Sequence, residues 1–318
     1  MTLLRVSVTG TKAMPVGPSD LPTALDAAFA ALPPGAPIVL MIHGYKFSPR
    51  SYRHTPHRHI LSIRTSKRAP RLISWPRHMR MAQTPQNGLA IAFGWEARGT
   101  LWRAHGRALQ AAQALADLMN QIRARRYGAI DIMAHSLGAR VALGAMERVD
   151  AHSIGRLILM SGAVFGSDAE RALATPAGKT AEVINTTTRE NAVFDAMFAG
   201  LVRPLAIWDA PISSGLARPK RNWLDVAIDD PSTCSALAQL GFPIAAPRTR
   251  ICHWSGYLRP GLFALYRALL HQRDDWPLER LRDAFPIKPA AITSGKANRQ
   301  RPARWTTLGS TLGSRAAP

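Results

Sequence analysis

The sequence predicts an α/β fold: a mostly parallel central sheet with helices on both faces. Three observations carry this. Short apolar runs alternate along the chain with longer stretches of helical period. Two of those runs, Ile38–Ile42 and Leu89–Phe93, are apolar without interruption, as strands covered on both faces must be. Around residues 130–148 a strand pattern passes through one tight turn directly into a helix pattern.

Taken in order, Leu3–Thr9 alternates like a half-buried edge strand. Asp20–Leu32 is an Ala-rich helix with Ser19 or Asp20 as its cap and Pro33-Pro34 as its stop. The runs Ile38–Ile42 and Leu89–Phe93 follow as strands. Leu101–Ile122 repeats apolar residues at 101, 108, 109, 112, 115, 119 and 122, with His105 on the same face, which predicts a long helix. Ile130–Ala134 reads as a strand, Leu137–Arg148 as a helix, Arg156–Ser161 as a strand, and Glu182–Thr187 as a β-branched strand. Ala192–Leu201 reads as a helix, Arg248–Cys252 as a short strand, and Leu262–Leu270 as a helix before Pro277. There is no internal repeat of 20–50 residues. One domain is therefore expected over 1–285. The tail 286–318, rich in Pro, Ser, Thr, Gly and Arg, has no core pattern and is expected to be disordered.

Composition narrows the function classes. The 318 residues are 47% hydrophobic and 19% charged, enough to bury a sizeable core. The longest apolar run, Pro37–Ile42, is far short of the roughly 18 residues a membrane helix needs. The N-terminus has no basic segment followed by a long apolar one, so no cleaved signal is expected. Cys234 and Cys252 are the only cysteines, too few for a disulfide framework or a cysteine-based zinc site, and the expected compartment is cytoplasmic. The net charge of +21 is concentrated in two places. Lys46–Arg80 holds ten Lys/Arg and no acid, and 286–318 holds six and no acid. The remainder is close to neutral. Specific nucleic-acid binding is not expected, because a folded basic face is missing.

The most informative stretch is Ile130-Asp131-Ile132-Met133-Ala134-His135-Ser136-Leu137-Gly138-Ala139. An apolar strand enters Ala-x-Ser-x-Gly and leaves as a helix, the context that a G-x-S-x-G nucleophile elbow requires. Ser136 must sit at the tip of a strained turn so that its Oγ projects above the sheet. The residues two before and two after it approach so closely that only small side chains fit, and Ala134 and Gly138 are small. The alternative is an ordinary N-cap serine.

On these residues, on His43-Gly44 and on a late histidine, the chain resembles the α/β-hydrolase superfamily over about residues 36–271. It is similar to bacterial serine hydrolases of the esterase and lipase kind, with Ala134 departing from the first Gly of the motif. The resemblance implies that Ser136 is the nucleophile and that the backbone N–H groups of Tyr45 and Leu137 form the oxyanion hole. Gly44 would let the chain turn there, and His43 would brace the loop. The superfamily order is nucleophile, acid, histidine. After Ser136 only His152, His253 and His271 remain. His253, in a His-Trp-Ser-Gly-Tyr loop before a helix, is the expected general base. The acid is expected just after Glu182–Thr187, where Glu190 and Asp195 are the catalytic candidates. Asn191 between them would orient an imidazole but stabilise its cation poorly. Asp168 is an outside candidate.

The reaction implied is hydrolysis of a carboxylic ester or thioester through an acyl-enzyme, with no cofactor. No phosphate-binding loop or metal-ligand cluster appears, and His54, His57 and His59 lack acidic partners. The basic segment Lys46–Arg80 follows the oxyanion loop. It reads either as a rim attracting an anionic or lipidic ester substrate or membrane surface, or as a solvated loop. Trp254 is placed to line an acyl pocket, whereas Trp95 and Trp102 read as loop packing. The rival function is a catalytically weak or inactive hydrolase fold that binds anionic surfaces.

Overall fold

The computed structural model describes residues 2–64, 73–81, 83–126, 128–202 and 209–285. The tail expected to be disordered lies outside them. Eight strands form one sheet: β1 (Leu3–Thr9), β2 (Lys12–Pro15), β3 (Ile38–Ile42), β4 (Leu89–Gly94), β5 (Ile130–His135), β6 (Ile154–Met160), β7 (Glu182–Thr187) and β8 (Trp223–Ala227). Their order is β2-β1-β4-β3-β5-β6-β7-β8. Every pairing is parallel except β1 with β2, a hairpin turned by Gly10 and Thr11 with Gly10 at φ 60°. The hairpin means that β1 is not the edge strand its alternation predicts; β2 covers it.

The helices are α1 (Leu21–Ala30), α2 (Trp75–His78), α3 (Leu101–Arg123), α4 (Gly138–Met146), α5 (Gly166–Leu173), α6 (Pro176–Thr180), α7 (Ala192–Val202), α8 (Pro231–Gln239), α9 (Ser255–Leu258), α10 (Leu262–His271) and α11 (Leu278–Ala284). Asp20 caps α1, its carboxylate accepting from the Thr23 amide at 2.8 Å. Strand alternation divides the core between the two faces. Leu40, Ile42, Ile91, Phe93 and Ile132 point to the side of α1, α3, α4 and α5. Val39, Met41, Ala92, Met133 and Ile158 point to the side of α10 and α11.

Three departures from the sequence pattern have physical reasons. The stretch 248–252 is a loop and not a strand, and Cys252 is half-buried there. The last strand is instead β8. Its central Asp225 spoils the apolar pattern, yet Asp225 is satisfied there, accepting from Asn185 Nδ2 at 2.8 Å and from the Trp223 indole at 2.9 Å. The described parts of the basic segment, 46–64 and 73–80, are not simply a solvated loop, because Ile60, Leu61, Trp75 and Met79 are fully buried and join the second core face with Met81 just beyond. Among the described residues, Lys46, Arg53, Arg58 and Arg77 stand outside this apolar anchor and are exposed.

Candidate active site

The sheet's central strands deliver the site. β5 ends at His135, and Ser136 follows at φ 52°, a left-handed conformation that a non-glycine residue adopts only under constraint. The constraint is hydrogen bonding: the Ser136 amide donates to Met160 O, and its carbonyl accepts from Ala139 and Ala163, each at 3.0 Å. The turn lifts Oγ off the sheet and starts α4 at Gly138. Neighbouring β3 ends in His43-Gly44-Tyr45, and this loop touches the elbow. A Cβ on Gly44 would stand 2.7 Å from Ser136 Cβ, and one on Gly138 would stand 2.7 Å from His43 O. Neither separation is possible, so both glycines are required by close approach.

His43 holds that loop. Its Nδ1–H donates to Gly44 O at 2.8 Å and its Nε2 accepts from the Trp95 amide at 3.0 Å. The Trp95 indole donates back to His43 O at 3.0 Å, and the two rings stack. Burial pushes the His43 pKa down to about 3, so the ring is neutral and in one tautomer. Tyr45 and Leu137 both border the cavity above Ser136. Among the described residues, neither backbone N–H is taken up by a protein acceptor.

His253 comes to Ser136 from the far end of the chain. Ser136 Oγ–H donates to His253 Nε2 at 2.8 Å. On the other side of the ring, Nδ1–H donates to the side-chain oxygen of Asn191 at 2.6 Å. The Asn191 amide nitrogen in turn donates to Asp195 Oδ1 at 2.9 Å. This last bond fixes which way the amide faces. With Nδ2 committed to a carboxylate, Oδ1 must face His253, and the imidazole must carry its proton on Nδ1. Nε2 is thereby left as an acceptor for the serine proton. His135 adds a main-chain restraint, donating from Nε2 to His253 O at 2.9 Å, and Phe194 lies over the His253 ring. Burial, followed by the neighbouring His135, holds the His253 pKa well below the ordinary histidine value.

The expectation that Glu190 or Asp195 meets the imidazole is therefore corrected. Glu190 turns away from His253, pairs with the buried Arg259 guanidinium and accepts from Thr249 Oγ1 at 3.3 Å. Its contribution to the site is through its backbone, where Glu190 O accepts from the Cys252 amide at 2.9 Å and so anchors the loop before His253. Asp195 stands one residue further out, behind Asn191, where burial raises its pKa and hydrogen bonds from Ser213 and Asn191 pull the other way. Asp168 is taken up by Arg140 and Arg171. The overlooked signal was the Asn191-x-x-x-Asp195 spacing, which places an amide and a carboxylate together on one helix face.

The cavity over Ser136 has a volume of about 820 Å³. Leu101, Trp102, Phe194, Met197, Phe198 and Leu201 give it an apolar wall; Trp254 and Tyr257 stand beside His253. Trp102 thus borders the cavity, donating from its indole to Leu201 O at 2.6 Å, while Trp95 is wholly in the core. Among the described residues, no cluster of His, Cys, Asp or Glu has the makings of a metal site, and no helix is long and apolar enough to cross a membrane.

Several of these histidines make stability depend on pH. Burial lowers the pKa of His43 to about 3, and those of His57 and His135 to about 4, against 6.5 for an exposed ring. Below pH 6.5 the unfolded chain therefore binds more protons than the folded one, and stability falls as pH falls. Asp131 opposes this, since burial raises its pKa to about 6 and the folded state holds its proton longer. The histidines outnumber it. Denaturant titrations are expected to show a loss of about 2–3 kcal/mol between pH 6.5 and 5.5. A flat profile would mean that these rings are solvated.

No protein-family model matches this chain, and a search of curated proteins finds no match either.

Proposed function

We propose that the protein is a serine hydrolase of α/β-hydrolase type that cleaves carboxylic esters or thioesters through an acyl-enzyme. The observation that carries this reading is the unbroken chain Ser136–His253–Asn191 at 2.8 and 2.6 Å, with the serine on a strained strand-to-helix turn. Ser136 Oγ attacks the acyl carbon while His253 Nε2 takes its proton. The Tyr45 and Leu137 amides, with the N-terminus of α4, stabilise the oxyanion. His253 returns the proton to the leaving oxygen or sulfur. Water then repeats the sequence on the acyl-enzyme, with His253 again acting as base. The neutral Asn191 amide orients the ring and fixes its tautomer, as in cysteine–histidine–asparagine sites, while giving the imidazolium less stabilisation than a carboxylate would.

A fluorophosphonate followed by intact mass tests the reading. One adduct is expected on the wild type and none on Ser136→Ala. Absence of an adduct on folded wild-type protein would overturn it and leave the non-catalytic binding module as the better account.

A further inference from the structure

The cavity is lined from two sources of opposite character. Its apolar wall comes from α3 and α7, where Trp102, Met197 and Leu201 stay 56%, 50% and 38% exposed at the rim. On α7, Met197 and Leu201 share one face with Val193, itself 54% exposed. Beside the catalytic side chains, the segment beginning at Lys46 contributes Lys46, Phe47, Arg53, His54 and His59, and Asp195 on α7 is the one carboxylate among the described lining residues. Lys46 follows the oxyanion residue Tyr45 directly and is held at φ 73° with its amide on Ala97 O. Its ammonium lies 6.0 Å from the Tyr45 ring centre. His59 donates from Nε2 to Arg53 O at 2.7 Å, which ties the arginine's backbone to the cavity wall. The segment 46–64 contains five Lys/Arg and no acid. Glu96 accepts from Ser48 Oγ at 2.6 Å and Asp195 from Asn191 at 2.9 Å, and among the described residues neither forms an ion pair with Lys46 or Arg53.

Two exposed cations, Lys46 and Arg53, beside a mainly apolar wall favour a ligand that is both apolar and anionic. We infer that the substrate is an amphiphilic ester in which an apolar acyl chain is joined to a phosphate-bearing alcohol. The acyl chain lies along α3 and α7, and the phosphate meets Lys46 and Arg53. A phosphate carries about −1.5 to −2 charge at neutral pH and offers the oxygens that guanidinium and ammonium groups bind. This inference rests on the serine hydrolase reading.

The test compares kcat/KM for decanoylglycerol phosphate and monodecanoylglycerol, each below its aggregation concentration. The phosphorylated ester is expected to be preferred at least tenfold, and the preference is expected to shrink as salt rises. Arg53→Gln and Lys46→Gln are expected to lower the ratio severalfold, whereas Lys12→Gln, on the distant β2, leaves it intact. Met197→Glu is expected to abolish the advantage of decanoyl over butyryl chains. A ratio near one, or a ratio indifferent to Arg53→Gln, overturns the assignment while fluorophosphonate labelling of Ser136 keeps the hydrolase reading. Loss of labelling and of all ester turnover overturns both. Turnover seen only when the ester is presented in vesicles would move the contact to a lipid surface and also overturn it.

Discussion

Alanine at His253 is expected to lower kcat/KM for an ester by about 10⁴-fold, the upper end of what a positioned general base supplies. Removing the ring takes away both the acceptor at 2.8 Å from Ser136 Oγ and the acid that protonates the leaving group. Asn191 acts only through that ring, so Asn191→Ala is expected to cost less, about 10²-fold, the scale of a misplaced catalytic group. Asp195 acts through Asn191 in turn. Asp195→Asn keeps an acceptor for the Asn191 amide and is expected to retain most activity; Asp195→Ala frees the amide to rotate and is expected to lose it.

The pH profile separates positioning from simple structural damage. His253 is held neutral mainly by burial, so wild-type kcat/KM is expected to stay flat from neutral pH down past 6.5. It falls only as the imidazole gains its proton. The exchange Asn191→Asp with Asp195→Asn places a carboxylate on Nδ1, raises the His253 pKa and moves the acidic limb upward. Asn191→Asp alone would set two carboxylates side by side, because Asn191 and Asp195 are already 2.9 Å apart, and the pair would share a proton. A limb that stays put in the exchanged variant would show that Asn191 is not the orienting group.

Glu190→Ala is expected to damage stability and spare the chemistry. Glu190 and Arg259 are both buried, their side chains 7% and 3% exposed. Arg259 has one further acceptor, Ile228 O at 2.5 Å. Deleting the carboxylate strands a guanidinium in the core, at a cost of about 3–5 kcal/mol, visible as a large fall in the urea midpoint. The double variant Glu190→Leu with Arg259→Met removes both charges and is expected to recover most of that loss. Assayed well below its melting temperature, Glu190→Ala is expected to keep hydrolytic activity within about tenfold, because Asn191 still orients His253. A folded Glu190→Ala protein with no activity would return Glu190 to the catalytic group.

The contrast between these neighbours shows which parts of the site were legible in the chain. Ser136, Gly138, His43 and Gly44 are fixed by backbone geometry, a turn that admits only small residues and a loop that touches it, and such constraints act at set spacings. His253 was legible from its place in the chain order. The choice among Glu190, Asn191 and Asp195 was not. Residues 189–191 form a short 3-10 turn, on which adjacent side chains diverge. Which one faces the imidazole was decided by Arg259, a residue 69 positions away whose buried charge claimed the glutamate. β8 was hidden for a similar reason, since Asp225 is tolerable in a strand only because Asn185 and Trp223 donate to it.

The Tyr45 and Leu137 groups assigned to the oxyanion hole are main-chain amides, and both residues also border the cavity. Substrate shape and catalytic power are therefore separately adjustable here. Any residue that keeps the local backbone supplies the same two N–H groups, so the half-buried position 45 can vary in side chain without loss of the hole, whereas Leu137, 1% exposed in the core, admits only apolar residues of similar size. A library confined to position 45 would remodel acyl selectivity while leaving the reacting groups untouched.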